Sequence, residues 1–110
     1  MGVTKTDNFS DLQNEIALIA KVLGHPARIA ILQHIMQQNS CICGDLVLEI
    51  GLAQATISQH LRELKNAGLI KGTIDGTSVC YCINTHNWNN SKDLLLAFLN
   101  QNETLNTLCC

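Results

Sequence analysis

The sequence predicts a mainly α fold with a β-hairpin wing: a winged helix-turn-helix, one domain over residues 1–110, in the order ααααββα. Three observations lead there. Apolar residues recur at helical spacing in successive stretches up to Gly68. Gly51 then separates the third stretch from the fourth by a turn short enough for a helix-turn-helix. After Gly68 the pattern alternates on both sides of Asp75-Gly76, a dipeptide that tolerates the positive φ angles of a tight hairpin turn.

The elements follow in order. Leu12, Ile16, Ile19 and Leu23 form an amphipathic stripe that ends at Gly24, and Pro26 suits the first turn of a second helix. That helix is expected to bury Ile29, Leu32, Ile35 and Met36 and to stop near Asn39. A short third helix over roughly 44–50 is closed by Gly51. The fourth carries Ile57, Leu61 and Leu64, with Gly68 as its stop. In "LIKGTIDGTSVCYCIN", Val79, Tyr81 and Ile83 share one face of the second strand, and Cys80 and Cys82 share the other. A fifth helix begins in "NWNNSKDLLLAFLN", with Ser91 as the expected N-cap.

Composition narrows the function. The chain is 46% apolar but only 4% aromatic, so its core is aliphatic. A formal net charge of −2 excludes bulk electrostatic attraction to nucleic acid; binding to DNA has to come from a local patch. The start, "MGVTKTDNFSDLQ", has no apolar signal region, and the apolar runs at 29–32 and 94–99 are too short to span a bilayer. The expectation is a cytoplasmic protein with no membrane partner, its six cysteines mostly reduced thiols.

The fourth helix carries the DNA-binding candidates. At about 100° per residue, Ile57, Leu61 and Leu64 point one way, while Ser58, Gln59 and Arg62 point the other. Gln54 and Thr56 lie in its first turn. Glutamine suits adenine, arginine suits guanine or phosphate, and hydroxyls suit phosphate. With Arg62, Lys65 and Lys71 against Glu63, the stretch from Gln54 to Lys71 is locally +2, and a dimer doubles that. The same pattern also fits an ordinary solvated helix face; the hairpin that follows favours DNA. His60 projects to the edge of the buried side, beside Leu64, and reads as a packed or hydrogen-bonded histidine.

"LGHPARIAIL" (23–32) and "CGDLVLEIGLAQATISQHLRELKNAGLIKGTIDGTSVCYCIN" (43–84) resemble the ArsR/SmtB family of bacterial metal- and stress-sensing repressors. The likeness covers roughly residues 16–84 and is densest in "QATISQHLRELKNAGLI". It implies a homodimer formed through the first and last helices, double-stranded operator DNA as partner, and repression relieved by an inducer. Where relatives often place a serine N-cap, this chain has Ala53, which forgoes roughly 1 kcal/mol. The family's zinc or nickel site on the last helix needs spaced histidines and carboxylates; His86, Asp93 and Glu103 do not supply the pattern.

The cysteines fall as three close pairs: Cys41/Cys43, Cys80/Cys82 and Cys109/Cys110. Arsenic-, antimony-, cadmium- and lead-sensing relatives often carry Cys-x-Cys beside Asp-Leu at the start of the third helix, and the resemblance implies a thiolate site at Cys41 and Cys43. Here Gly44 intervenes before Asp45, so the pair sits one residue early. Soft thiolates select thiophilic ions, and three are favoured by trivalent arsenic and lead(II). Cys109, Cys110, Cys80 and Cys82 are the further candidate ligands; the last two stand about 7 Å apart along a strand. The expected inducer is As(III) or Sb(III), ahead of Cd(II) or Pb(II), and DNA binding itself needs no cofactor. The alternative is the same DNA-binding frame switched by thiol oxidation or reactive sulfur species. One cysteine of the Cys41/Cys43 pair also reads as a small apolar core residue, the Cys80/Cys82 face as one that only rests on a neighbouring helix, and Cys109/Cys110 as a pair without a role. An enzyme is disfavoured, since Cys-x-x-Cys, a phosphate-cradling glycine loop and a βαβ pattern are all missing.

Overall fold

The computed structural model describes residues 6–38, 42–43, 46–75 and 78–104. Its helices are α1 (Asp11–Leu23), α2 (Pro26–Gln37), α3 (Leu46–Ile50), α4 (Gln54–Asn66) and α5 (Thr85–Leu99). Its strands are β1 (Ile42–Cys43), β2 (Ile70–Asp75) and β3 (Ser78–Ile83), and short 3-10 turns flank the ends. The strands form one antiparallel sheet in the order β1-β3-β2.

Local chemistry sets the helix starts. Ser10 and Gln13 form a reciprocal capping box on α1: each side chain accepts the other's backbone N–H at 3.0 Å. His25 caps α2 by accepting the Ala27 N–H on Nδ1 at 3.0 Å, with Pro26 in the first turn. Ala53 gives α4 no side-chain cap. Gly51 and Gly68 both have φ of +80°, the left-handed conformation each turn requires. At Gly68 the chain leaves α4, with the Gly68 and Leu69 amides donating back to Lys65 and Leu64.

The core gathers Val22, Ile31, Leu32, Ile35, Leu46, Ile57, Leu61, Leu64, Leu69 and Ile70. It joins α1, α2, α3, α4 and the root of the hairpin into one unit. Two sequence expectations are corrected here. Ile29 and Met36 lie on the outside of α2, 39% and 46% exposed, while Ala27 and Ile31 take inner positions. The inner arc of α2 is centred on Ile31, so residues two before and five after it rotate away. Leu12 is also exposed, leaving Ile19 and Val22 as the buried residues of α1.

Two further differences concern elements. α5 starts at Thr85 rather than near Ser91, because Asn84 accepts the Asn87 N–H on its side chain at 3.3 Å and begins the helix earlier. Ser91 is therefore an interior helical residue. The third helix is described from Leu46, residues 44 and 45 of the expected helix lying outside the described residues, and a two-residue strand, Ile42–Cys43, comes ahead of it. On β3, Cys80 is 3% exposed and Val79 is 45% exposed, while Tyr81 and Ile83 pack against the core. β3 is the central strand, with β1 on one edge and β2 on the other.

Candidate nucleic-acid interface and thiol site

The α3–Gly51–α4 unit and the β2–β3 hairpin lie side by side. A cleft of about 300 Å³ runs between them, lined by Leu46, Gln54, Ile57, Ser58, Leu61, Val79 and Tyr81. Ile57, Leu61 and Leu64 fix the inner face of α4 to the core, as their spacing predicts. Gln54, Thr56, Gln59, Arg62 and Lys65 are exposed on α4, and Lys71 is exposed on β2. Ser58 is half-buried and turns toward the cleft. The polar side chains order one another along the helix. Gln54 Nε2 donates to Ser58 Oγ at 3.2 Å, and Arg62 Nη1 donates to Gln59 Oε1 at 3.0 Å. Gln59 Nε2 donates in turn to Glu63 Oε1 at 3.2 Å. Such a ladder holds an amide and a guanidinium together on one exposed surface, the pair of groups that reads base edges.

His60 faces inward, 7% exposed. Arg28 Nε donates to His60 Nδ1 at 3.1 Å, and Arg28 Nη1 donates to the Val22 carbonyl at 3.2 Å. The His25 ring lies against the His60 ring, centroids 4.4 Å apart. One arginine thus ties the end of α1 and the start of α2 to the middle of α4. Burial pushes the His60 pKa below its ordinary 6.5, and the neighbouring His25 and Arg28 push it the same way. As an acceptor on Nδ1 the ring is neutral, with its proton on Nε2. Sequence reasoning read His60 as structural but missed Arg28 and His25. The contact spans 32 positions, and periodicity within one helix carries no such signal.

The thiol candidates are partly brought together. Cys43 of β1 lies in register with Cys80 of β3, and Ile42 with Tyr81. Cys80 is buried, Cys82 is half-buried, and both are disulfide-bonded. Cys41, Cys109 and Cys110 lie outside the described residues. His86 is on the exposed side of α5, its Nε2 3.4 Å from Asn90 Nδ2. Asp93 and Glu103 are exposed further along.

At the other end of the molecule, α5 buries no residue. Leu96, Phe98 and Leu99 are 47%, 49% and 61% exposed, beside Leu12 and Leu18 of α1 at 51% and 53%. Between α1 and α5 runs an apolar groove of about 210 Å³, lined by Ile19, Leu23, Trp88, Leu95, Leu96 and Leu99 among others.

Helices packed behind a helix-turn-helix, followed by a β-hairpin, define the winged helix-turn-helix class. Comparison with known proteins agrees. Residues 25–71 match the family described as bacterial regulatory protein, arsR family. The transcriptional regulator MJ1325 of Methanocaldococcus jannaschii is 40% identical over 68 residues, covering 61% of this chain and 75% of that protein. The transcriptional regulator Rv0081 of Mycobacterium tuberculosis is 35% identical over 63 residues, which are 57% of this chain and 55% of that protein. The match therefore spans about half the length of Rv0081. The crystal structure of Rv0081 superposes with a TM-score of 0.62 at 27% identity, over 87% of this chain and all of that one. The solution structure of the homodimeric winged helix-turn-helix DNA-binding domain Mb0332 of Mycobacterium bovis gives a TM-score of 0.65 at 22% identity, over 93% and 90% of the two chains. The chain belongs to the ArsR/SmtB family of winged helix-turn-helix transcriptional regulators. Its relatives are regulators, not enzymes, and no helix among the described residues is long and apolar enough to cross a membrane.

Proposed function

We propose that this protein is a cytoplasmic, homodimeric repressor that binds double-stranded operator DNA and is released by a thiophilic metalloid, arsenite or antimonite before cadmium or lead. The observation that carries the DNA reading is the exposed ladder of Gln54, Gln59 and Arg62 on a helix whose opposite face is locked in the core. In this reading α4 enters the major groove, Arg62 and Gln59 meet base edges, and Gln54, Thr56 and Ser58 meet the backbone near the start of the helix. Lys65 and Lys71 meet phosphates on either side. The dimer forms through the apolar faces of α1 and α5, and two α4 helices then address two half-sites.

The inducer site of this reading is Cys41 and Cys43, completed by at least one further cysteine. The register of Cys43 with Cys80 supports β3 as the source of that thiol once the disulfide at Cys80 is reduced. Three soft sulfurs suit a trivalent metalloid, and two carboxylates or imidazoles would not. Ligation pulls on the segment that leads into α3, so the inducer needs only a difference in affinity between two α3–α4 arrangements. A coupling of about 1–3 kcal/mol is the ordinary size of such an effect. The experiment is a fluorescence-anisotropy titration of fully reduced protein with the DNA upstream of its own gene, with arsenite then added. Wild type should bind and then release. The double change Cys41→Ser with Cys43→Ser should bind and stay bound. Release of that variant at the wild-type arsenite concentration would remove the pair from the site.

The disulfide-bonded state of Cys80 and Cys82 favours a second reading, in which oxidation of thiols switches the same DNA-binding frame.

A further inference from the structure

Three hydrogen-bond donors meet the cleft between α4 and the wing with protons uncommitted among the described residues. Ser58 Oγ accepts from Gln54 Nε2 at 3.2 Å, which leaves its own O–H to donate. Among the described residues the Tyr81 hydroxyl has no hydrogen-bond partner, and Lys65 has neither a hydrogen bond nor an ion pair. Glu63, the acid nearest to Lys65 in sequence, is turned to Gln59. The ammonium lies at the Tyr81 end of the cleft. Gly72 of β2 pairs with Tyr81, and a Cβ there would stand 3.4 Å from Tyr81 Cε1 and from Val79 Cγ1 and 3.6 Å from Lys65 Nζ. The absence of a side chain at Gly72 leaves that space to the lysine.

The spacing of these donors describes an occupant. Ser58 and Lys65 are two helical turns apart, about 10 Å along α4. Between them the lining is apolar, with Ile57 and Leu61 buried beneath and Val79, 45% exposed, opposite. No acidic residue lines the cleft among the described residues. An inorganic anion would use the lysine end alone and leave the apolar middle wet. A flat apolar body with an anionic group at one end and a neutral polar group at the other uses the whole length. The volume of about 300 Å³ stands at the small end of ligand sites, roughly 300–1,000 Å³.

We propose that this cleft is an effector site for a small aromatic carboxylate that carries a hydroxyl at its far end. The carboxylate takes the Lys65 ammonium and the Tyr81 hydroxyl, the ring lies over Leu61 against Val79, and the far hydroxyl meets Ser58. No thiol takes part, so this control is separate from the cysteine site. Its consequence rests on the repressor reading above, which gives Gln54, Ser58 and Lys65 to the DNA backbone. A ligand that covers them competes with the operator directly.

The probe is para-hydroxycinnamate, added to the reduced, isotopically labelled full chain while amide shifts are followed by NMR. Saturable shifts are expected at residues 54–61 and 79–81, with the indole N–H of Trp88, in the groove between α1 and α5, unmoved. Lys65→Gln should weaken binding about tenfold, the worth of one charge-assisted hydrogen bond. Para-hydroxycinnamyl alcohol, which lacks the charge, should lose as much. Val79→Trp, at an exposed position of the wing, should fill the cleft and abolish binding with helical content unchanged. Shifts centred on Trp88, undiminished binding by either variant or of the alcohol, or no saturation at millimolar probe would overturn the site. In parallel, the probe should raise the apparent Kd for the DNA upstream of the gene in proportion to its occupancy. It should do so equally in the double change Cys41→Ser with Cys43→Ser. Bound probe with unchanged DNA affinity would overturn the effector role. Failure of the probe-free protein to bind DNA would instead sink the repressor reading, and the shift map alone would then decide the site.

Discussion

His60 accepts from Arg28 while lying against His25, so the middle of α4 rests on three groups that protonation would set in conflict. A proton on Nδ1 would remove the acceptor and place a buried cation beside a guanidinium. The sign of the pH effect follows. The folded pKa lies below the ordinary 6.5, so between the two values the unfolded chain binds the extra proton. The contribution of His60 is complete above about 6.5 and is lost as pH falls toward the lowered value. The urea midpoint should therefore fall between about pH 7.5 and about pH 5.5, and His60→Gln should flatten that fall. An equal slope in the variant would count against His60 as the source of the pH dependence. His60 was legible from its projection onto the apolar edge of one helix. Arg28 and His25 were not, because their meeting depends on how α2 crosses α4.

Among the elements, α4 does the most with the least local help. It has no side-chain cap, and its hold comes from Ile57, Leu61 and Leu64 in the core. Its outer face is free to be specified for recognition. Arg62→Ala should weaken operator binding by about 1–3 kcal/mol if the guanidinium makes a bidentate base contact, while the thermal midpoint stays put because Arg62 is exposed. Unchanged affinity at matched salt would move the interface off this face. The helix-turn-helix and hairpin were legible because local chemistry dictates them: Gly51 and Gly68 adopt the positive φ their turns demand, and strands 70–75 and 78–83 pair as Asp75-Gly76 implied. β1 was not legible. Two residues give no period, and the strand exists only because β3 offers an edge that arrives some forty positions later. Read as lying just ahead of a helix, Cys43 had no assigned neighbour; the strand sets it in register with Cys80. The early start of α5 was missed for a simpler reason. Asn84 and Ser91 are both good caps, and the choice depends on Asn84 lying at the end of β3.

The whole molecule is elongated. Its radius of gyration is 16.7 Å, against about 13 Å for a compact domain of this length. The excess fits a helix that projects without a buried residue and an apolar groove beside it. Such a surface is what a subunit presents to its copy. Charged residues in place of Phe98 and Leu99 should give a monomer by analytical ultracentrifugation with helical content retained, since both side chains are exposed in the single chain. A wild-type protein that sediments as a monomer at micromolar concentration would contradict the dimer. The monomeric variant should also lose operator binding, because one α4 grips one half-site only.

The central claim is that two copies of α4 and the wing read one operator. DNase footprinting of the reduced wild-type protein on the DNA upstream of its own gene tests it most directly. The account predicts two protected half-sites related by a two-fold axis, their centres one helical turn or about 34–36 Å apart or a multiple of that, with protection lost in Arg62→Ala at equal concentration. A single protected site without symmetry, or a footprint unchanged in Arg62→Ala, would contradict it.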